Sequence, residues 1–448
     1  MRFHRVFLGV LFACALLIDP AFAQGVTTGT PPEAEKAYDD AFKSMLSDPA
    51  NLEKAFGYAQ AAILVGNLEG AISTLERMLF INPELPRVRL ELGVLYFRLG
   101  SYAAAQTYFN SVSELKDVPE PVRERVATYQ AEIAKRQSRH SLSGSLFFGA
   151  RTQSNANTAS ATGAVLIGGI DANLDSQFTQ KHDNNIFLAL NLKHTYEIDP
   201  SQADTWDTTV SNYISRQAAQ KQVDVSLIEV TTGPTLVLAP GSDLEPRLRP
   251  YAILSYVEVN DVRDYFAPGV GLSFTAVLAP QIQSELNSEF RDKRYKDDND
   301  NPNKSRKDGP ELTHRARLTY AALDFMSFNA GVGMTVQNTR EETEANTEYS
   351  WTVGFTLSHP SPMPFLRSPW ATVGSATRAY SKYDTPDPTI SAAERRQDKD
   401  WRLSLTEAVP LSDEWSLVTT LARTIRSSTL PNFVYRNDSI LIGANLRF

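Results

Sequence analysis

The chain ends in Arg436-Asn437-Asp438-Ser439-Ile440-Leu441-Ile442-Gly443-Ala444-Asn445-Leu446-Arg447-Phe448, and the fold turns on this stretch. Ile440, Ile442, Ala444, Leu446 and Phe448 occupy every second position, separated by polar or small residues and one leucine. A β-strand points successive side chains to opposite faces, so this spacing makes one apolar face and one mostly polar face. The texture recurs upstream. In 346–358, Tyr349, Trp351, Val353, Phe355 and Leu357 alternate with Ser350, Thr352, Gly354, Thr356 and Ser358. In 281–293, Ile282, Leu286 and Phe290 alternate with Gln283, Glu285, Asn287, Glu289, Arg291 and Lys293. Strands of a membrane barrel need this arrangement, apolar toward lipid and polar toward a lumen.

Fourteen such segments fit the region after Arg139: 142–153, 185–196, 204–216, 223–238, 247–259, 264–278, 281–294, 311–323, 327–339, 346–358, 370–383, 399–409, 414–426 and 436–448. Each is near or above the roughly 9–11 residues that a tilted strand needs to cross a bilayer. An even number returns the C-terminus to the side on which the barrel began, expected to be the periplasm. Odd-numbered connections are then expected outside the cell and long, as at 154–184, 295–310 and 384–398. Even-numbered ones are expected to be short, as at 279–280, 324–326 and 410–413, with 359–369 as an exception. A soluble sandwich or propeller would not need an apolar face on every strand. Leu446 and the terminal aromatic Phe448 look like an assembly signal of outer-membrane barrels, which makes the barrel assembly machinery an expected partner. Trp206, Trp351, Trp370, Trp401 and Trp415 are candidates for aromatic girdles against outer-membrane lipids.

The N-terminus reads as an export signal over 1–23. Arg2 and Arg5 precede an apolar run from Val6 to Ile18, too short to span a bilayer, and Ala21-Phe22-Ala23 suits cleavage before Gln24. Lipidation at Cys14 is the competing reading. Cleavage after Ala23 removes Cys14, the one cysteine, and with it disulfides, thiolate catalysis and cysteine-based zinc sites. It also removes one net positive charge from a total of −8 and leaves −9, which argues against nucleic acid as a partner. No later apolar run approaches the length of a membrane helix, so a membrane protein of this sequence must cross as a closed barrel.

Residues 24–138 form a second domain, with helical character from Glu33 to about Gln137 and a period of 34. At that offset Pro49 meets Pro83, Ala59 meets Gly93, Gly66 meets Gly100 and Ala71 meets Ala105. The clearest unit carries Leu92-Gly93, Tyr96, Gly100, Tyr102, Ala105 and Phe109, a tetratricopeptide pattern. Gly93 and Ala105 allow two helices to approach, Leu92, Tyr96 and Phe109 fill the space between them, and Gly66-Asn67 and Gly100-Ser101 turn the chain. Two whole repeats are expected, flanked by half-repeats at 33–48 and 121–136 that cap them. Such grooves hold an extended or helical segment of another protein, so a periplasmic client or chaperone is the expected partner.

The two-domain α + β chain, helical repeats followed by a 14-stranded antiparallel transmembrane barrel over 139–448, carries no catalytic signature. His140, His182, His194, His314 and His359 are scattered, without metal-ligand spacing. There is no nucleophile elbow or phosphate loop, and the Gly269-Val270-Gly271 pair lacks its third glycine. The reading is therefore no enzyme, no metal and no cofactor. Glu285, Glu289, Arg291, Lys293, Arg315 and Arg317 fall on the polar faces of neighbouring strands. They either brace the inner wall as ion pairs or contact a translocating substrate. The loop over 154–184, with Gly163, Gly168 and Gly169, is long enough to fold inward.

This order of parts resembles the surface lipoprotein assembly modifier (Slam) family. Gly149-Ala150-Arg151-Thr152-Gln153-Ser154-Asn155-Ala156-Asn157 is similar to the Ser-Asn-x-Asn stretch at the start of that family's barrel, with Ser154, Asn155 and Asn157 as the matching residues. The resemblance implies an outer-membrane protein that helps lipoproteins or other secreted proteins reach the cell surface, its repeats receiving the client in the periplasm. Two alternatives stand beside it. Exopolysaccharide exporters also join such repeats to a barrel, usually with many more repeats, and a small-solute porin with an accessory domain is the third reading.

Overall fold

Capping residues mark off the helices. A computed structural model describes residues 32–175, 179–298, 301–363 and 368–448; the export-signal reading of 1–23 lies outside them. The helices are α1 (Pro32–Ser47), α2 (Leu52–Leu64), α3 (Leu68–Ile81), α4 (Pro86–Arg98), α5 (Tyr102–Ser113) and α6 (Glu120–Gln137). The Asn51 side chain accepts hydrogen bonds from the Glu53 and Lys54 amides, and Asn67 accepts one from Gly70, satisfying donors that a helix start leaves open. Pro86 opens α4, where its missing N–H costs nothing. Gly66 and Gly100 lie at φ +82° and +74°, the left-handed region that ends a helix most cheaply as glycine. Helices α2–α3 and α4–α5 are thus two antiparallel pairs, with α1 and α6 as single helices before and after. Ala59, Ala62, Ala71, Leu75, Leu92 and Leu95 form one core, and Leu90, Ala105, Phe109, Val112 and Ile133 a second.

Strand formation follows the alternation. The barrel consists of β1 (His140–Gln153), β4 (Asp183–Asp199), β5 (Asp204–Gln217), β6 (Val225–Val237), β7 (Arg247–Val259), β8 (Val262–Ala279), β9 (Ile282–Tyr295), β10 (Gly309–Leu323), β11 (Met326–Gln337), β12 (Asn346–His359), β13 (Trp370–Tyr383), β14 (Gln397–Pro410), β15 (Trp415–Ser428) and β16 (Tyr435–Arg447). A separate hairpin, β2 (Ala164–Ile167) with β3 (Ile170–Asn173), lies in the first long connection. Each barrel strand pairs antiparallel with its neighbours, and β1 pairs with β16, so the sheet closes without an edge. Closure satisfies every ladder group internally, the condition for crossing a bilayer by strands. Beyond the ladder, the Gly144 amide donates to the Phe448 carbonyl at 2.7 Å and the Phe448 amide donates back at 3.1 Å. No described helix is long and apolar enough to cross a membrane.

The outward face carries Leu286, Phe290, Leu318, Val332, Trp351, Val353, Leu403, Leu421, Ile440 and Ile442, all exposed. This is the lipid-facing surface of a transmembrane β-barrel. Trp206 and Trp415 are exposed near the strand ends at the rim where β1 begins, while Trp351 and Trp401 are exposed in the half of their strands nearer the opposite rim.

Loop lengths depart from the expected rule at two places. The fifth connection is only Asn260-Asp261, and the fourth runs over 238–246. Asn260 and Asp261 lie at φ +55° and +57°, a two-residue turn whose twist matches that of the strands. Side-chain alternation reports which face a residue takes, not how tightly the chain turns.

Candidate functional site

In the helical unit the sequence-marked residues meet at one crossing. Leu92, Ala105 and Phe109 are fully buried, and a Cβ on Gly93 would lie 2.6 Å from Phe109 Cδ1. Tyr96 stacks on Tyr108 at 5.4 Å, and both hydroxyls donate to Glu76 Oε1, at 2.9 and 3.2 Å. Burial, then the Glu76 carboxylate, pushes the Tyr108 hydroxyl up to about 12. Residues one period apart also touch. Arg125 donates to Glu91 at 3.2 Å, and Arg136 donates to the Tyr102 hydroxyl at 3.2 Å. Gly100 serves the turn rather than the crossing.

In the barrel the pairing register decides which charges face inward together. Glu285 pairs with Arg317, Asn287 with Arg315 and Glu289 with Thr313, all on the inner face opposite Leu286 and Phe290. Arg291 bonds Glu229 at 2.5 Å and Glu289 at 2.9 Å, and Lys293 bonds Glu311 at 2.5 Å. Tyr251 donates to Glu289 at 2.8 Å, and its ring lies over Gly271, where a Cβ would come within 2.5 Å of Cε2. The missing side chain at Gly271 clears room for a ring laid flat on the wall. Arg317 lies 3.8 Å from Glu285, and Arg315 has no ion pair or hydrogen bond among the described residues.

The wall over β11–β15 is different. Gly331, Gly333, Ser350, Thr352, Ser375 and Thr377 line it, followed by Ser404, Thr406 and Thr420. Neighbouring hydroxyls bond each other, Thr352 to Thr377, Ser375 to Ser404 and Thr406 to Thr420, each at 2.9 Å. The lumen therefore has a charged, bulky wall over β9–β10 and a wall over β11–β15 whose middle carries glycines and hydroxyls, with Glu348, Arg402, Asp400 and Arg426 paired toward the outer ends of its strands.

Ser154, Asn155 and Asn157 fasten the first long connection. The Ser154 amide donates to the Asp438 carbonyl at 2.9 Å. The fully buried Asn155 takes the Ala159 amide on its Oδ1 and donates from Nδ2 to the Ala159 and Arg436 carbonyls. Asn157 donates to the Thr179 carbonyl and accepts from the Lys181 amide, tying the two ends of the connection together. The hairpin beyond docks on two other connections. The Gly168 and Gly169 amides donate to the Thr389 and Ile390 carbonyls, and Leu166 exchanges bonds with the Asn432 side chain at 2.8 and 3.0 Å. Below those connections Arg396, stacked 3.4 Å from the Phe433 ring, grips the buried Asp398, and Arg426 grips Asp400.

The histidines are less scattered than their spacing suggests. His140 and His194, 54 residues apart, stack with ring nitrogens 3.0 Å apart on neighbouring strands. Ser288 meets His314 at 2.8 Å on the outward face, and His359 meets Glu407 at 3.2 Å. Register makes these neighbours, and no local motif reports it. Among the described residues no group of three or more His, Cys, Asp or Glu is placed to hold a metal.

No protein-family profile matches the chain, and no curated protein matches it. Solved structures resemble its parts. The type III secretion translocator chaperone SycD of Yersinia enterocolitica is similar at 18% identity over 23% of this chain and 82% of its own, with a TM-score of 0.22. PcrH, in complex with the chaperone-binding region of PopD, is similar at 16% identity over 24% of this chain and 82% of its own, with a TM-score of 0.23. An outer membrane channel from Pseudomonas putida F1 is similar at 10% identity over 68% of this chain and 95% of its own, with a TM-score of 0.36. At such scores the fold rests on the helix pairs and the closed register themselves.

Proposed function

We propose that this protein is an outer-membrane translocation channel, without enzymatic activity, that delivers a lipoprotein or other secreted protein to the cell surface. The helical repeats receive the client in the periplasm, and the barrel passes it on. The reading is supported by one combination above all: a tetratricopeptide unit built to hold a polypeptide segment, joined in one chain to a closed barrel with a polar lumen. Fourteen strands lie between the eight that side chains fill and the sixteen to eighteen of open porins, which suits an extended chain rather than a folded domain. The barrel assembly machinery would insert the chain through its last strand, Leu446 and Phe448 included.

A second reading, a channel for small solutes, is favoured by the hydroxyl wall of β11–β15, which a plain porin would also use. Protease shaving of intact cells with and without the gene separates the two. Translocation predicts that at least one protein loses surface exposure on deletion; if none does, the translocator reading fails.

A further inference from the structure

Most charges in the lumen are spent on one another. Arg291, Glu229 and Glu289 form a closed triad whose side chains are 17%, 14% and 12% exposed, and Lys293 and Glu311 are 15% exposed each. Arg317 and Glu285 differ. Their closest approach is 3.8 Å and their side chains are 60% and 46% exposed, open to the lumen. Arg315, two residues away on the same face, is exposed and has no ion pair or hydrogen bond among the described residues.

What lies beside these two arginines matters as much. In register, Arg315 faces Gly333 and Arg317 faces Gly331 on β11, and Ser350 and Thr352 follow on β12. A Cβ on Gly333 would lie 2.6 Å from Ser350 Oγ and 3.8 Å from Arg315 Cγ, so a side chain there would displace the Ser350 hydroxyl and lie against Arg315. Gly331 and Gly333 leave the β11 wall beside the two arginines bare of side chains, a clear floor continued by the Thr352–Thr377 and Ser375–Ser404 hydroxyl pairs. A guanidinium presents a planar fork of donors that matches a carboxylate, and hydroxyls add donors from the side. Within this stretch the carboxylates Glu229, Glu285 and Glu289 are opposed by Arg249, Arg291, Arg315 and Arg317, a surplus of one positive charge.

We infer that Arg315 and Arg317, over the Gly331–Gly333 floor, form a station in the lumen that binds the carboxylates of an acidic stretch in an extended polypeptide. This rests on the translocation reading, since the polypeptide is the client in transit. The triad around Arg291 holds the wall in shape, and the two outlying arginines make the contact.

The test uses the full-length protein in detergent micelles and two fluorescent probes, a ten-residue glutamate peptide and a ten-residue lysine peptide, followed by anisotropy. The glutamate peptide is expected to bind at least about tenfold more tightly, with affinity falling as salt rises. R315A/R317A is expected to lose at least about tenfold in glutamate-peptide affinity, while R315K/R317K retains part of it because the charge remains without the planar fork. Heat-modifiable migration on gels checks that each variant still forms a barrel. Equal affinity for both peptides, or a folded R315A/R317A that binds as wild type does, overturns the station. If client display on intact cells depends on the gene but the glutamate peptide does not bind, the station fails and the translocation reading stands. If the peptide binds but no protein loses surface exposure on deletion, the station stands as an anion site and the translocation reading fails.

Discussion

A methyl group at Gly93 has nowhere to go, because the Phe109 ring already occupies its place. Gly93→Ala is therefore expected to destabilise the helical unit by about 1–3 kcal/mol, the usual cost of overpacking. Urea melts of a fragment spanning 24–138 would measure it, with Gly57→Ala as a control, since no atom lies within 4 Å of a Cβ there. Tyr58 and Tyr108 make a second prediction. Burial pushes both hydroxyls up to about 12, Tyr58 further by its bond with Tyr38 and Tyr108 by Glu76. Their folded values lie above the ordinary 10, so the stability they contribute is intact below pH 10 and is lost as pH rises toward 12. The same fragment should unfold progressively across that window, and Tyr108→Phe should blunt the loss. A fragment equally stable at pH 9 and 11.5 would contradict this. At this scale the sequence was only partly legible. The Leu92-Gly93 pair and Phe109 announce a crossing through their spacing, but Glu76, which binds both tyrosine hydroxyls, belongs to no motif. His140 and His194 were unreadable as neighbours because 54 residues separate them and only strand register joins them.

The strands were legible because lipid enforces them. Each must turn one apolar face outward, and the alternation in 346–358 and 436–448 records that constraint directly. Connections bear no such constraint. Asn260-Asp261 makes a tight turn where a longer loop was expected, and 238–246 is longer than its place in the order suggests. Which charges pair was also hidden, since Arg291 reaches Glu229 three strands away through side-chain length rather than along the ladder. Removing Phe448 deletes both bonds to Gly144 that complete closure, so the fraction of heat-modifiable barrel in outer membranes should fall several-fold. Deleting 158–178, the hairpin docked on 389–390 and 432, should raise single-channel conductance in planar bilayers. Unchanged conductance would mean that the hairpin does not obstruct the pathway.

For the whole molecule, the two units have separate cores. The repeats bury alanines and leucines around a glycine crossing and present tyrosines bound to Glu76. The barrel turns apolar residues to lipid and lines its lumen with ion pairs and hydroxyls. A client handled by the repeats and passed through the lumen must come within reach of a photo-crosslinking residue placed at Thr352, on the inner face of β12. In growing cells it should capture a secreted protein, and removing the helical repeats should abolish the adduct while leaving the barrel assembled. Continued surface display of the client dependent on this gene, with no adduct from any lumen position, would rule out passage through the lumen.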